Sequence, residues 1–294
     1  MLNFDPKREP ARPKDAATVV VVRERTAGLE LFCVERHARS GFLGGAIVFP
    51  GGKVDPGDHD ERLSERMTGL SQRSRALSDD LGTARAFAAA ALRELLEEAA
   101  ILPVVGDTLS AAALLSLRDD LVVRQSAGGA STTAFAALLS AHGLIADAGR
   151  LEAMWRWITP QAEARRYDTR FYLLTLPQGQ QGVHDRHETT SSFWAAPREV
   201  LERWERGEIF LAPPTVRAIE IFRDVSTTDE ALQVARQQTL DPVCPHFMLD
   251  GEHPILALPG DPLYPEPCQA PSDPHAPTRF VLRDGRFVGE IKRG

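Results

Sequence analysis

The chain has 294 residues, 43% of them hydrophobic, and a formal net charge of −7. That length and apolar content bury one large core or two small ones. The charge balance, without a basic stripe, excludes the usual footprint of a nucleic-acid binder, and no apolar run reaches the roughly 18 residues of a membrane span.

Residues 1–16 are polar and Pro-containing and read as a flexible leader. They hold no apolar signal-peptide core, and the tail EIKRG is not a peroxisomal signal. Cys33, Cys244 and Cys268 give neither zinc spacing nor a disulfide framework. A cytoplasmic protein is expected. Residues 17–225 read as one domain. Thr18–Arg23 (TVVVVR) and Glu30–Arg36 (ELFCVER) are expected strands. The Gly-rich stretch GFLGGAIVFPGGKVDPGD follows, with a short strand at Ala46–Phe49 and a turn at Pro50-Gly51-Gly52. Residues 59–82 carry charges of both signs and read as an insertion. Residues 83–101 predict a long Ala-rich helix, stopped by Pro103. A second insertion, near 105–150, reads as two helices over 108–122 and 132–143. Strands are expected at Met154–Ile158, Thr169–Leu176 and Ser192–Ala195, and helices at Pro197–Arg206 and Pro214–Phe222. Residues 226–294 form a Pro-rich extension of unassigned role, with a hairpin around Asp284-Gly285. This mixed order predicts an α/β or α+β fold.

The chemistry concentrates in 91-ALRELLEEAAIL-102. A helix turns about 100° per residue, so Glu94, Glu97 and Glu98 share one arc about 100° wide. Leu92, Leu95, Leu96 and Ala99 fall on the opposite, buried side. Three like charges on one arc repel, and a hard divalent cation with oxygen ligands removes that repulsion. The alternative is a solvated acidic face on an amphipathic helix. Arg93 stands four residues before Glu97, a spacing that pairs the two.

These residues resemble the Nudix box, G-x5-E-x7-R-E-U-x-E-E-x-G-U, where U is aliphatic. 93-RELLEEAAI-101 supplies its second half, and 49-FPGGKVDPGD-58 resembles its first, with Gly52 as the opening glycine. Asp58 stands for the first Glu and Ala100 for the later Gly. Between Asp58 and Arg93 lie 34 residues where the pattern has 7. The chain is thus similar to the branch with a split box that includes coenzyme A diphosphatases. The resemblance covers roughly residues 17–225. It implies a mixed sheet sandwiched between helices, hydrolysis of a diphosphate linkage, and Mg²⁺ or Mn²⁺ as cofactor. It implies Glu94, Glu97, Glu98 and the Gly52 carbonyl as metal ligands, with Glu94, Glu97, Glu98 and Arg93 as the catalytic group. Glu188 stands where many relatives place a late acidic residue. The role implied for Asp58 is structural. Ala100 either adopts a left-handed conformation, at about 1–2 kcal/mol, or lets the helix run one turn further.

The substrate expected from the resemblance is a small nucleotide, with coenzyme A or acyl-coenzyme A first. A dinucleotide of the NADH or ADP-ribose type is the alternative, and a non-catalytic nucleotide-binding module on the same fold is another. In 32-FCVERHARSGFLGGAIVFPGG-52, Arg36 aligns with the coenzyme A motif, but Gly41 replaces its second Arg. Arg36 and Arg39 are candidate phosphate ligands; a solvated strand end is the competing reading. Arg166 is a candidate for a phosphate and Tyr167 for stacking on a base. Trp155, Trp157 and Trp194 read as packing residues. Neither a nucleic-acid nor a membrane partner is expected, and a homodimer is left open.

Overall fold

Val19–Val22 set the plan of the molecule. All four are fully buried, yet successive side chains of a strand point to opposite faces. Val19 and Val21 enter one apolar cluster, and Val20 and Val22 another. The sheet that holds them therefore needs cover on both sides. A computed structural model, which describes residues 4–292 apart from 6, 40–42, 107, 128–132, 186–188 and 266–275, supplies that cover.

The valines lie in β1 (Lys14–Arg25), followed by β2 (Gly28–Arg36), β3 (Ile47–Val48) and β4 (Gly51–Lys53). Residues 59–82 then form two one-turn helices, α1 (Leu63–Arg66) and α2 (Gln72–Arg75), around a short strand, β5 (Met67–Thr68). Three helices follow: α3 (Leu81–Ala99), α4 (Ala111–Ala127) and α5 (Ala134–Ala141). After them come β6 (Ala146–Asp147), β7 (Glu152–Ile158), β8 (Tyr167–Thr175) and β9 (Thr189–Ala195). Next are α6 (Pro197–Glu205), α7 (Pro213–Glu220) and α8 (Thr228–Gln237). The chain closes with β10 (Pro242–Val243), β11 (His246–Asp250), β12 (His253–Ala257), β13 (Arg279–Arg283) and β14 (Arg286–Glu290).

The main sheet runs β10-β7-β8-β1-β2-β3, with β4 also on β1 and β9 on β2. It is mixed: β1 and β8 are parallel, as are β7 and β10, and the remaining pairs are antiparallel. Helices α3, α4 and α5 cover the Val19 face. Helices α6, α7 and α8 cover the Val20 face, together with a second sheet, β11-β12-β13-β14. No helix among the described residues is long and apolar enough to cross a membrane.

The structure corrects the reading of residues 1–16 as a loose leader. β1 begins at Lys14 and pairs with Tyr167 in β8. The Asp5 amide donates to the Ala162 carbonyl at 2.8 Å. Phe4 stacks on Phe247, with ring centroids 4.7 Å apart. The segment is held by partners more than 150 residues away, which local composition does not reveal. Residues 59–82 stay out of the main sheet, but they are anchored to it. Leu63, Met67 and Leu77 are buried, and Arg73 donates to the carbonyls of Ala153, Ala235 and Gln238.

Candidate active site

Helix α3 carries the acidic arc to the edge of the sheet. Asp80 caps its N-terminus by accepting from the Thr83 amide at 2.8 Å. An unbroken alanine run, Ala88–Ala91, is fully buried and lets the helix lie close to β1. The helix ends at Ala99, and Ala100 takes the left-handed conformation, φ 49° and ψ 45°. The Ala100 amide donates to Leu96 and the Ile101 amide to Leu95, which satisfies carbonyls that the helix end would otherwise orphan. Of the two readings of Ala100, the strained one holds.

Arg93 joins the two halves of the split box. Its Nε and Nη2 donate to both carboxylate oxygens of Asp58, each at 2.9 Å. Nη2 also donates to the Lys53 carbonyl at 2.9 Å, and Nη1 reaches Glu94 at 2.8 Å and Glu97 at 3.2 Å. Asp58 in turn accepts from the Asp55 amide and caps the short 3-10 turn Pro56–His59. Arg93 and Asp58 are both buried. Burial alone would lower the arginine pKa, but Glu94, Asp58 and Glu97 outweigh it and hold the pKa well above its usual value.

Each glutamate has its own neighbour. Glu98 is buried and accepts from the Gly51 amide at 2.9 Å. Glu97 accepts from Gln125 Nε2 at 2.7 Å. Burial pushes the Glu97 pKa up, and Arg93 and Gln125 only partly oppose that rise. Glu94 lies against Gly52, whose hydrogen leaves room for the carboxylate. Gln125 comes from α4, inside the second insertion, and no motif in the sequence points to it.

Glu94, Glu97, Arg93 and Gly52 line a cavity of about 420 Å³. Arg36, Tyr167 and Lys53 line it too. The Arg36 Nε is buried and has no hydrogen-bond partner among the described residues. Glu98 keeps its place beside the box glycines, its carboxylate on the Gly51 amide next to Gly52. Two sequence expectations change. Arg39 is exposed and off the cavity; its amide bonds the His37 ring. Arg166 is not brought into the cavity either: it donates to the carbonyls of Thr159 and Ala11 and clips the N-terminal segment to the fold. Glu188 and Gly41 lie outside the described residues. Trp157, read as a packing residue, is buried and also lines the cavity.

Among the described residues, no three His, Cys, Asp or Glu side chains converge on a point that would hold an ion. The glutamates are turned instead toward Arg93, Gln125 and the Gly51 amide. The donor set nevertheless suits a hard cation. It consists of oxygen atoms alone, and it includes a half-buried carboxylate, Glu97, whose charge a cation would favour.

A sequence profile described as the NUDT19 Nudix domain matches residues 60–222, more than half of the chain. The acyl-coenzyme A diphosphatase NUDT19 of Gallus gallus is 29% identical over 277 residues, covering 81% of this chain and 73% of that protein. Its Homo sapiens counterpart is 26% identical over 313 residues, covering 87% and 82%. The crystal structure of a Nudix hydrolase from Alicyclobacillus acidocaldarius is 28% identical with a TM-score of 0.63, over 78% of this chain and 97% of that one. The fold, the rejoined box and these similarities lead to one conclusion: the chain belongs to the Nudix hydrolase family.

Proposed function

We propose that the protein hydrolyses the diphosphate linkage of coenzyme A and its acyl thioesters, with a divalent metal ion as cofactor. The observation that carries this reading is the shared cavity. One wall holds Glu94, Glu97 and Gly52, and the same space takes in Arg36, whose buried Nε lacks a partner among the described residues. A buried donor without an acceptor is costly, and a substrate phosphate would satisfy it. The similarity to acyl-coenzyme A diphosphatases supports the choice of substrate.

Glu94, Glu97, Glu98 and the Gly52 carbonyl are the residues that would hold Mg²⁺ or Mn²⁺. When bound, the cation neutralises the diphosphate and lowers the pKa of the attacking water. Arg93 fixes Glu94 and Glu97, and Gln125 fixes Glu97 from the other side. The water oxygen bonds to one phosphorus as the bridging oxygen leaves with the other. The proton released passes to one of the glutamates. Arg36 takes the 3′-phosphate of the nucleotide half by charge-assisted hydrogen bonds. Tyr167, on the cavity wall in β8, offers its ring to the half of the substrate that runs away from Arg36.

A dinucleotide of the NADH or ADP-ribose type is the second reading, favoured by the further aromatic rings of Trp157 and Phe171 in the cavity. Incubation with each candidate and Mg²⁺ or Mn²⁺, with products resolved by mass, separates the two. The first reading expects 3′,5′-ADP and 4′-phosphopantetheine from coenzyme A. Cleavage of the dinucleotides alone would discard it.

A further inference from the structure

The cavity has two chemically different walls. Among the described residues, all its charged lining residues, from Arg36 to Glu97, come from the β2–α3 stretch of the chain. Phe4, Trp157, Phe171, Pro245 and Leu256 line it as well and carry no charge. The sheet register separates the two groups. Lys53 pairs with Ala16, Ala16 with Thr169, and Thr169 with Trp157. Trp157 therefore stands three strand spacings, about 14 Å, from the glycine-bearing strand β4. Arg36 ends β2, which joins β1 on the edge away from β8 and β7.

Segments near both ends of the sequence complete the uncharged wall beside Trp157 and Phe171. Phe4 stacks on Phe247 at 21° between ring planes. Phe247 pairs with Leu256 across β11 and β12, and Val243 pairs with Trp157 across β10 and β7. Phe4, Pro245, Phe247 and Leu256 all lie outside the matched segment 60–222.

A diphosphate substrate extends in two directions from its reacting phosphates. With its phosphorylated nucleoside toward Arg36, the other half runs along the sheet toward Trp157. A sugar or a charged group there would lose water without gaining partners, whereas an apolar chain gains by leaving water. We propose that Phe4, Pro245 and Leu256, with Phe247 backing the Phe4 ring, form a subsite for a fatty-acyl group at the distal end of the substrate, so that these segments set acyl-length preference. This rests on the coenzyme A reading above.

The test compares kcat/KM for coenzyme A and its hexanoyl and lauroyl thioesters in the wild type, Phe4→Ala and Phe247→Ala. Both rings are half-buried, so truncation is compatible with folding, and a circular dichroism melt checks it. The ratio of lauroyl thioester to free coenzyme A should fall about tenfold in each variant. An unchanged ratio in both variants, or a wild type that cleaves coenzyme A but no acyl thioester, overturns the subsite and leaves the diphosphatase reading in place. A wild type inert toward every coenzyme A compound overturns both.

Discussion

A Cβ on Gly52 would stand 2.2 Å from Oε1 of Glu94 and 2.4 Å from its Cδ, whereas a Cβ on Gly51 would meet backbone, 2.4 Å from the Ala17 carbonyl oxygen and 2.7 Å from Thr18 Cα. The two glycines of the FPGG turn thus answer to different demands. Gly51 lets β4 pair with β1, and Gly52 makes room for a carboxylate.

Substitution should separate these roles. In Gly52→Ala the Glu94 side chain swings aside, so the protein folds but loses most of its hydrolytic activity. In Gly51→Ala the clash is with backbone that has nowhere to go, at a cost of about 1–3 kcal/mol or more. Urea unfolding and initial rates on both variants distinguish the two. Equal stability with equal loss of activity would show that the glycines share one role.

The Asp58–Arg93 pair should be the clasp of the split box. Asp58→Ala removes three hydrogen bonds, two from Arg93 and one from the Asp55 amide, and leaves the guanidinium buried beside Glu94 and Glu97. We expect a loss of about 3–5 kcal/mol, visible as a lower denaturation midpoint. A midpoint within experimental error of the wild type would mean that the pair contributes nothing to closing the motif.

Ala100 sits at φ 49° and ψ 45°, a region that costs an L-residue about 1–2 kcal/mol. Glycine adopts it freely but is less ordered when unfolded, which takes back about 0.5–1 kcal/mol. Ala100→Gly should therefore stabilise the protein by about 1 kcal/mol. A melting temperature that falls would contradict this assignment of strain.

Much of this was legible in the sequence because it is local. The TVVVVR run announces a doubly covered strand, and Glu94, Glu97 and Glu98 announce an acidic arc. The capping box of Thr227 and Glu230 at the start of α8 was equally readable, but a Pro-rich extension was expected there instead. What lay beyond the sequence depends on distant partners. Gln125 reaches Glu97 only because α4 packs beside α3. Phe4 lines the cavity from the far end of the sequence, beside Phe247, on which it stacks. Arg166 resembled a phosphate ligand until its guanidinium proved to be spent on two backbone carbonyls.

Cys33 lies in β2, and its reactivity follows from its burial. The thiol is fully buried between strands, and burial pushes its pKa up to about 12, against a weaker opposing pull from Arg203. Almost no thiolate exists at pH 8, since deprotonation begins only as the pH approaches that value. Iodoacetamide at pH 8, followed by peptide mass mapping, should leave Cys33 unmodified until the protein is denatured. Rapid native labelling would show that the thiol is accessible and contradict its place in the core.

Glu98→Gln is the direct probe of the proposed metal site at the acidic end of α3. The amide matches the carboxylate in volume and still accepts from the Gly51 amide through its oxygen, so the fold should persist. Loss of the charge should cut kcat by about 100- to 1,000-fold and raise the Mg²⁺ concentration needed for half-maximal rate. Glu98→Gln that cleaves substrate at the wild-type rate with the same Mg²⁺ dependence would contradict the account.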